Sequence, residues 1–284
     1  MALVQEFVLL AHLLRNNFIK HKSRLFYQSV FYVDGAIMIL KDNERINKVN
    51  ENLSLIERQD SLTFGTDAYL LAAYLPKRGK SIGVELGLGS GIISLLALTK
   101  KKCQRVYGFE VQGEIYDIAK RNAELNGLEK SLTVINKDIR EANTVDTQGE
   151  VDFVFSNPPF MKSTSGKLND SHAKSISRHE MFGAIDDFCA CAKRLLKHGG
   201  NFYVVYRHDR MIDLLCAMRN NGIEPKRLTF IHANSNTPPS LFLVCGKLGA
   251  KSGLIIDKPI YIYRNGTQEY TDTYKQIYED CSFE

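Results

Sequence analysis

Between Ser81 and Cys245 short apolar runs alternate with amphipathic stretches, and no other feature constrains the fold as much. Ser81–Leu86, Arg105–Phe109, Leu132–Asn136, residues 151–156 and Asn201–Tyr206 have the length and composition of buried strands. Between them Ile92–Lys100, Glu114–Asn126, Phe182–Leu196 and Arg210–Asn220 read as helices, with Gly127, Gly199-Gly200 and Gly222 at their ends. Arg227–His232 and Leu241–Cys245 add two late strands. A chain of this pattern is expected to build a doubly wound α/β fold: a mostly parallel, seven-stranded sheet with helices on both faces. Ligands then bind beyond the carboxyl ends of the strands, near the switch point. Ahead of this lies a helix over Ala68–Leu75, capped by Thr66 or Asp67 and closed by Pro76 and Gly79. Leu40–Arg58 reads as irregular or short-strand chain.

Four strand ends carry chemistry. The first runs into Glu85-Leu86-Gly87-Leu88-Gly89-Ser90-Gly91 and then a helix. Glycines at 87, 89 and 91 allow sharp turns and close approach to a ligand. The spacing is not that of a dinucleotide loop, and an acid before the first glycine suits a cationic ligand better than a pyrophosphate. S-adenosylmethionine, with a sulfonium and an ammonium group, fits. Glu110 ends the second strand, placed to take two ribose hydroxyls. Asp138 follows the third, placed to accept from an adenine amine while the Ile139 N–H donates. The fourth, VDFVFS, stops at Asn157-Pro158-Pro159-Phe160. Two prolines remove backbone donors and stiffen the turn. The Asn157 side-chain oxygen and the Pro158 carbonyl are then two fixed acceptors for a planar amine, and Phe160 is a ring for stacking.

Net charge is +5 with a pI near 8.7, a weak lean towards an acidic partner such as nucleic acid. Lys162, Lys167, Lys174 and Arg178 follow the NPPF turn in a polar loop suited to phosphate contacts. Six scattered cysteines show no metal-ligand spacing and read as reduced thiols of a cytoplasmic protein. No run of about 18 apolar residues is present, so no membrane helix is expected. Residues 1–37 combine helically spaced Val4, Phe7, Val8, Leu10, Leu13 and Leu14 with a basic run, and lack a signal-peptide pattern. They read as an N-terminal extension of unknown role, with one domain over residues 38–284.

Glu85–Gly91, Glu110, Asp138 and NPPF together resemble the class I S-adenosylmethionine-dependent methyltransferases, which have a Rossmann-like fold. NPPF is similar to the signature of those that methylate adenine N6, guanine N2 or a glutamine amide. Phe64-Gly65-Thr66-Asp67-Ala68, Ser177-Arg178-His179-Glu180, Leu195–Gly200 and Gly222–Leu228 further resemble the bacterial tRNA1(Val) adenine-N6 methyltransferases. This likeness begins near Leu40. It departs at Phe160-Met161, where that family more often has Tyr-Phe. The resemblance implies methyl transfer to adenine N6 beside a tRNA anticodon, leaving S-adenosylhomocysteine. It implies catalysis by Asn157, Pro158, Pro159 and Phe160, and closure of Phe64, Gly65, Thr66 and Asp67 over the methionine end of the cofactor. Asn157 joins the cofactor contacts, His179 the RNA contacts, and neither metal nor membrane takes part. Guanine-N2 methylation of ribosomal RNA and glutamine-N5 methylation of protein are the competing enzyme readings. A non-catalytic cofactor-binding module is the reading from another class.

Overall fold

The computed structural model describes residues 29–33, 36–59, 65–159 and 184–283, with side chains from Leu40 onward. The chain divides into two compact units, Met1–Glu44 and Arg45–Glu284. In the first, β1 (Ser29–Val33) pairs antiparallel with β2 (Ala36–Leu40), Val33 opposite Ala36. Strand β2 runs across the expected boundary at residues 37–38. The helical spacing near the N-terminus lies outside the described residues.

Of the two readings of the next segment, the short-strand one holds: β3 (Glu44–Asn50) pairs with β4 (Leu53–Arg58). The Asn50 side chain accepts from the Asn52 N–H at 2.9 Å and tightens their turn. Helix α1 (Thr66–Tyr74) is buried along Ala68–Ala73. Its N-cap is Gly65, not Thr66 or Asp67, and no side chain caps it. At its other end the buried Lys102 ammonium donates to the carbonyls of Ala73 and Leu75, at 2.7 and 2.9 Å. A cation there satisfies orphan carbonyls and the helix dipole together.

The alternation then proceeds through β5 (Ile82–Leu86), α2 (Ile92–Thr99), β6 (Arg105–Glu110), α3 (Gly113–Leu125), β7 (Leu132–Asn136) and β8 (Val151–Ser156). It continues with α4 (Ile185–Leu195), β9 (Leu196–Arg207), α5 (Met211–Asn220), β10 (Ile223–His232) and β11 (Pro239–Leu248). The seven long strands lie in the order β7-β6-β5-β8-β9-β11-β10. β7 to β9 are mutually parallel, and β11 is antiparallel to both neighbours. Two strands of two residues each, β12 (Ile255–Ile256) and β13 (Ile260–Tyr261), pair with β10 and bring the sheet to nine. Helix α6 (Asp272–Asp280), capped by Thr271, ends the described chain.

Side-chain alternation divides the core between the two faces of the sheet. From β8, Phe153 and Phe155 enter one cluster with α1, α2 and α3; Val151 and Val154 enter the other with α4 and α5. β9 does the same, with Tyr203 and Val205 against Phe202 and Val204. Both β8 phenylalanines are at most 1% exposed, so truncating either to alanine should cost about 3–5 kcal/mol. The free edge of β4 is bound by α3 rather than by another strand. Asn122 accepts from the Ile56 N–H (2.6 Å) and donates to its carbonyl (3.2 Å), and Asn126 treats Ser54 in the same way (3.0 and 2.8 Å). Asn122 also donates to the Ser90 carbonyl at 2.9 Å, so one fully buried amide joins the hairpin to the glycine loop.

Candidate active site at the strand ends

The strand order reverses between β5 and β8, and a cleft opens at their carboxyl ends. Gly87 and Gly89 form part of its wall. Gly87, Gly89 and Gly91 have φ of 74°, 58° and 87°, left-handed values that a side chain would strain. The N–H groups of Gly87 and Leu88 both donate to the Phe109 carbonyl, at 3.0 and 2.8 Å. The Leu88 side chain fills the space left by Gly108, where a Cβ would come within 2.6 Å of it. The loop is therefore pinned to β6 by backbone and side chain, and Gly91 turns it into α2.

Glu85 is buried beneath this loop and does not line the cleft. Its Oε2 accepts from both the N–H (3.1 Å) and the hydroxyl of Ser94 in the first turn of α2. Burial pushes its carboxyl up to about 8 against these hydrogen bonds, and Glu110 adds to the rise. Glu110 does line the cleft. One oxygen accepts from the Gly89 N–H and the other from the Gln112 N–H, both at 2.9 Å. The Gln112 side-chain amide also donates to that second oxygen, at 3.4 Å, so the oxygen facing Gly89 is the one that keeps a lone pair for a ligand hydroxyl. Val111, 36% exposed beside it, offers an apolar wall.

Asp138 and Ile139 close the far side. Arg140 wraps back onto Asp138, its Nε 3.0 Å from both carboxylate oxygens, and holds that carboxyl below its usual range. The Ile139 N–H has no acceptor among the described residues, which leaves it available to a ring nitrogen. Arg194 of α4 donates to the carbonyls of Ala142 (2.6 Å) and Ile139 (2.8 Å) and so fixes this loop. The same helix sends Phe188 into the cleft. Neither residue stands out in the sequence: Arg194 acts across 52 residues of chain, and Phe188 is one apolar position of an amphipathic helix.

At the fourth strand end Ser156 Oγ donates to the Leu86 carbonyl at 2.7 Å, tying β8 to β5 where the cleft begins. Asn157 and Pro159 line the cleft; Pro158 is buried and does not. Asn157 Nδ2 donates to Asp67 Oδ2 at 2.8 Å. Asn157 Oδ1 is buried and has no partner among the described residues. A buried acceptor left without a donor costs about 1–3 kcal/mol, so one that persists is held for a ligand or a water. Gly65, Thr66 and Asp67 stand at the start of α1 and do not line the cleft; Asp67 reaches it through Asn157. Phe64, Phe160, Lys162, Lys167, Lys174, Arg178 and His179 lie outside the described residues.

The cleft thus joins a pinned glycine loop, a carboxylate with a lone pair to spare, an apolar wall and, among the described residues, a free N–H beside an acid and an unpaired amide oxygen. These fit S-adenosylmethionine with an amine donor beyond its methyl group. Among the described residues no cluster of three or more His, Cys, Asp or Glu is placed to hold a metal, and no helix is long and apolar enough to cross a membrane.

A family model described as the methyltransferase small domain matches residues 59–218. The tRNA1(Val) (adenine(37)-N6)-methyltransferase of Phocaeicola vulgatus is 25% identical over 219 residues, covering 77% of this chain and 91% of that one. The enzyme of the same name from Flavobacterium johnsoniae is 21% identical, covering 80% and 97%. Among solved structures, one described as a predicted O-methyltransferase from Agrobacterium tumefaciens superposes with a TM-score of 0.60 at 17% identity, covering 76% of this chain and 97% of that one. A methyltransferase from Pyrococcus furiosus gives 0.52 at 16%, covering 70% and 91%. These two likenesses concern the fold.

Proposed function

Because the chain belongs to the methyltransferase small domain family and is an S-adenosylmethionine-dependent methyltransferase, we propose that it methylates an exocyclic amino group of a nucleobase in RNA, adenine N6 of a tRNA beside the anticodon. The observation that carries this reading is the buried Oδ1 of Asn157 at the end of β8, which has no partner among the described residues. The names of the similar proteins supply the base and the RNA.

The cofactor supplies an electrophilic methyl group. Glu110 holds its ribose hydroxyls, Asp138 and the Ile139 N–H hold its adenine, and the loop from Gly87 to Gly91 passes its methionine end. Glu85 acts from below, keeping the loop and α2 together through Ser94. An aromatic amine is a poor nucleophile because its lone pair is delocalised into the ring. Asn157 Oδ1 accepts one of its hydrogens and turns the lone pair towards the methyl group; the Pro158 carbonyl, expected from the sequence as the second acceptor, stands off the cleft. Positioning and preorganised electrostatics would then lower the barrier without a strong base: as the nitrogen–carbon bond forms the methyl–sulfur bond breaks, S-adenosylhomocysteine is the leaving group, and the surplus proton on nitrogen goes to solvent water. A base taken out of a stack needs a new surface. Pro159 and, on the strength of the resemblance, Phe160 provide it, while Lys162, Lys167, Lys174, Arg178 and His179 engage the RNA. A tRNA substrate and six free thiols suit the cytoplasm. The test offers labelled S-adenosylmethionine with tRNA, ribosomal RNA and protein fractions. Label in tRNA is the expected result; label confined to ribosomal RNA or protein would replace this reading.

A further inference from the structure

The Gly65-Thr66-Asp67 segment stands next to the acceptor rather than in the cofactor cleft, and its geometry gives it a task of its own. A carboxamide has two ends of nearly equal size and opposite polarity: the oxygen accepts and the NH2 donates. Which end faces which way is decided by its partners. An ionised carboxylate only accepts, so Asp67 Oδ2, 2.8 Å from Asn157 Nδ2, can pair with the NH2 end alone. The opposite end, Oδ1, is thereby turned to a place where no described group meets it.

Gly65 makes room for this arrangement. A Cβ built on Gly65 would fall 2.6 Å from Asp67 Oδ1. The backbone φ of Gly65 is −93°, which any residue adopts, so it is space and not conformation that calls for glycine. Glycine admits the carboxylate, the carboxylate fixes the amide, and the amide offers an oxygen.

We propose that Asp67 is a positioning residue that sets the polarity of the Asn157 carboxamide and so makes the site selective for an amino group over a carbonyl. With the amide held this way, a group bringing hydrogens is met by an acceptor. A group bringing a carbonyl oxygen meets another oxygen and is repelled. The inference rests on the reading that Asn157 Oδ1 faces the accepting amine, and the test separates the two.

Single-turnover methylation of an unmodified tRNA transcript is measured for wild type, Asp67→Ala, Asn157→Ala and the double variant. Asp67→Ala should lower the rate about tenfold to a hundredfold, the loss of one hydrogen bond to a charged group, with S-adenosylhomocysteine affinity unchanged. Added to Asn157→Ala it should cost nothing more, because its effect passes through that side chain. A further full loss in the double variant overturns the positioning role and leaves the acceptor role standing. A wild-type rate in Asn157→Ala removes the acceptor role and this inference with it. Two measurements cover a variant that folds poorly or a transcript that is not a substrate. Asp67→Asn keeps the shape and lets the Asn157 amide pair either way round. It should narrow the preference in binding affinity for a transcript carrying adenosine over one carrying inosine, which has no amino group to methylate, at the target position, and equal loss of affinity for both overturns the proposal. The side-chain NH2 resonances of Asn157 in 15N-labelled protein need no substrate. They should shift and exchange faster in Asp67→Ala, and unchanged resonances overturn it.

Discussion

The two halves of the cleft are finished to different degrees. On the cofactor side every acid is already engaged by the protein: Glu85 by Ser94, Glu110 by the N–H groups of Gly89 and Gln112, Asp138 by Arg140. On the amine side Asn157 has one end engaged by Asp67 and the other buried with no described group to meet it. The acids shape their loops first and hold a ligand with the lone pairs that remain. The amide oxygen has no structural duty among the described residues, and a ligand amine would account for its burial. Changes on the cofactor side should therefore affect binding and loop order together, and changes at the amide should affect the transfer step alone.

The largest effect is expected where the two halves part most clearly. Asn157→Ala should lower single-turnover transfer by roughly 10²–10³-fold, by analogy with removal of one oxyanion-hole donor, while calorimetric affinity for S-adenosylhomocysteine stays near wild type. A joint loss of both would abolish the distinction. Glu110→Ala should do the reverse, weakening cofactor binding by about 1–3 kcal/mol. Hydrogen exchange at Gly89 should also rise, because its N–H loses its acceptor. Arg194→Ala removes the guanidinium donor from the carbonyls of Ile139 and Ala142. We expect a smaller loss of cofactor affinity, about 1 kcal/mol, with the transfer rate at saturating cofactor unchanged.

The smallest effect concerns pH. The Glu85 carboxyl stands at 4.5 in the unfolded chain and at about 8 in the folded one, so folding takes up a proton between these values. The stability that goes with the neutral form is full below about 4.5 and is lost as pH rises through about 8. Glu85→Gln, always neutral, should flatten the melting temperature between pH 5 and 9 relative to wild type. An unchanged slope would mean that Glu85 is ionised in the fold at neutral pH.

The sheet was legible because strand and helix periods differ and each strand end was punctuated by glycine, proline or an acid. Gly199-Gly200 reads as a break after a helix; β9 starts at Leu196, but its register against β8 jumps from Leu196 to Asn201 and Gly199 has a φ of 76°, so the strand bulges there and regular pairing resumes at Asn201. Gly200 is there because a Cβ would come within 3.1 Å of the Asp152 carbonyl on the adjacent strand. Helix α6 escaped because only Tyr274 and Ile277 are buried in it, too few to show a period. The β3–β4 pair was legible only as irregular or short-strand chain, because its edge is satisfied by asparagines of α3, some 70 residues away. In the site, residues at strand ends were legible one by one. What Asp67 does was not, because its partner lies 90 residues downstream and only the fold brings them together. The expected boundary at residue 37 falls inside β2, and we propose that the catalytic domain begins at Arg45, where the second compact unit starts.

The central claim is that the cleft receives an amino group, that of adenine in tRNA. It is tested most directly by digesting tRNA methylated by the purified protein and identifying the modified nucleoside by mass spectrometry, with its position mapped on the tRNA. The account predicts N6-methyladenosine beside the anticodon. N2-methylguanosine would preserve the amide acceptor and overturn the base, and a methyl group on a ring nitrogen, a ring carbon or a ribose oxygen would contradict the claim itself.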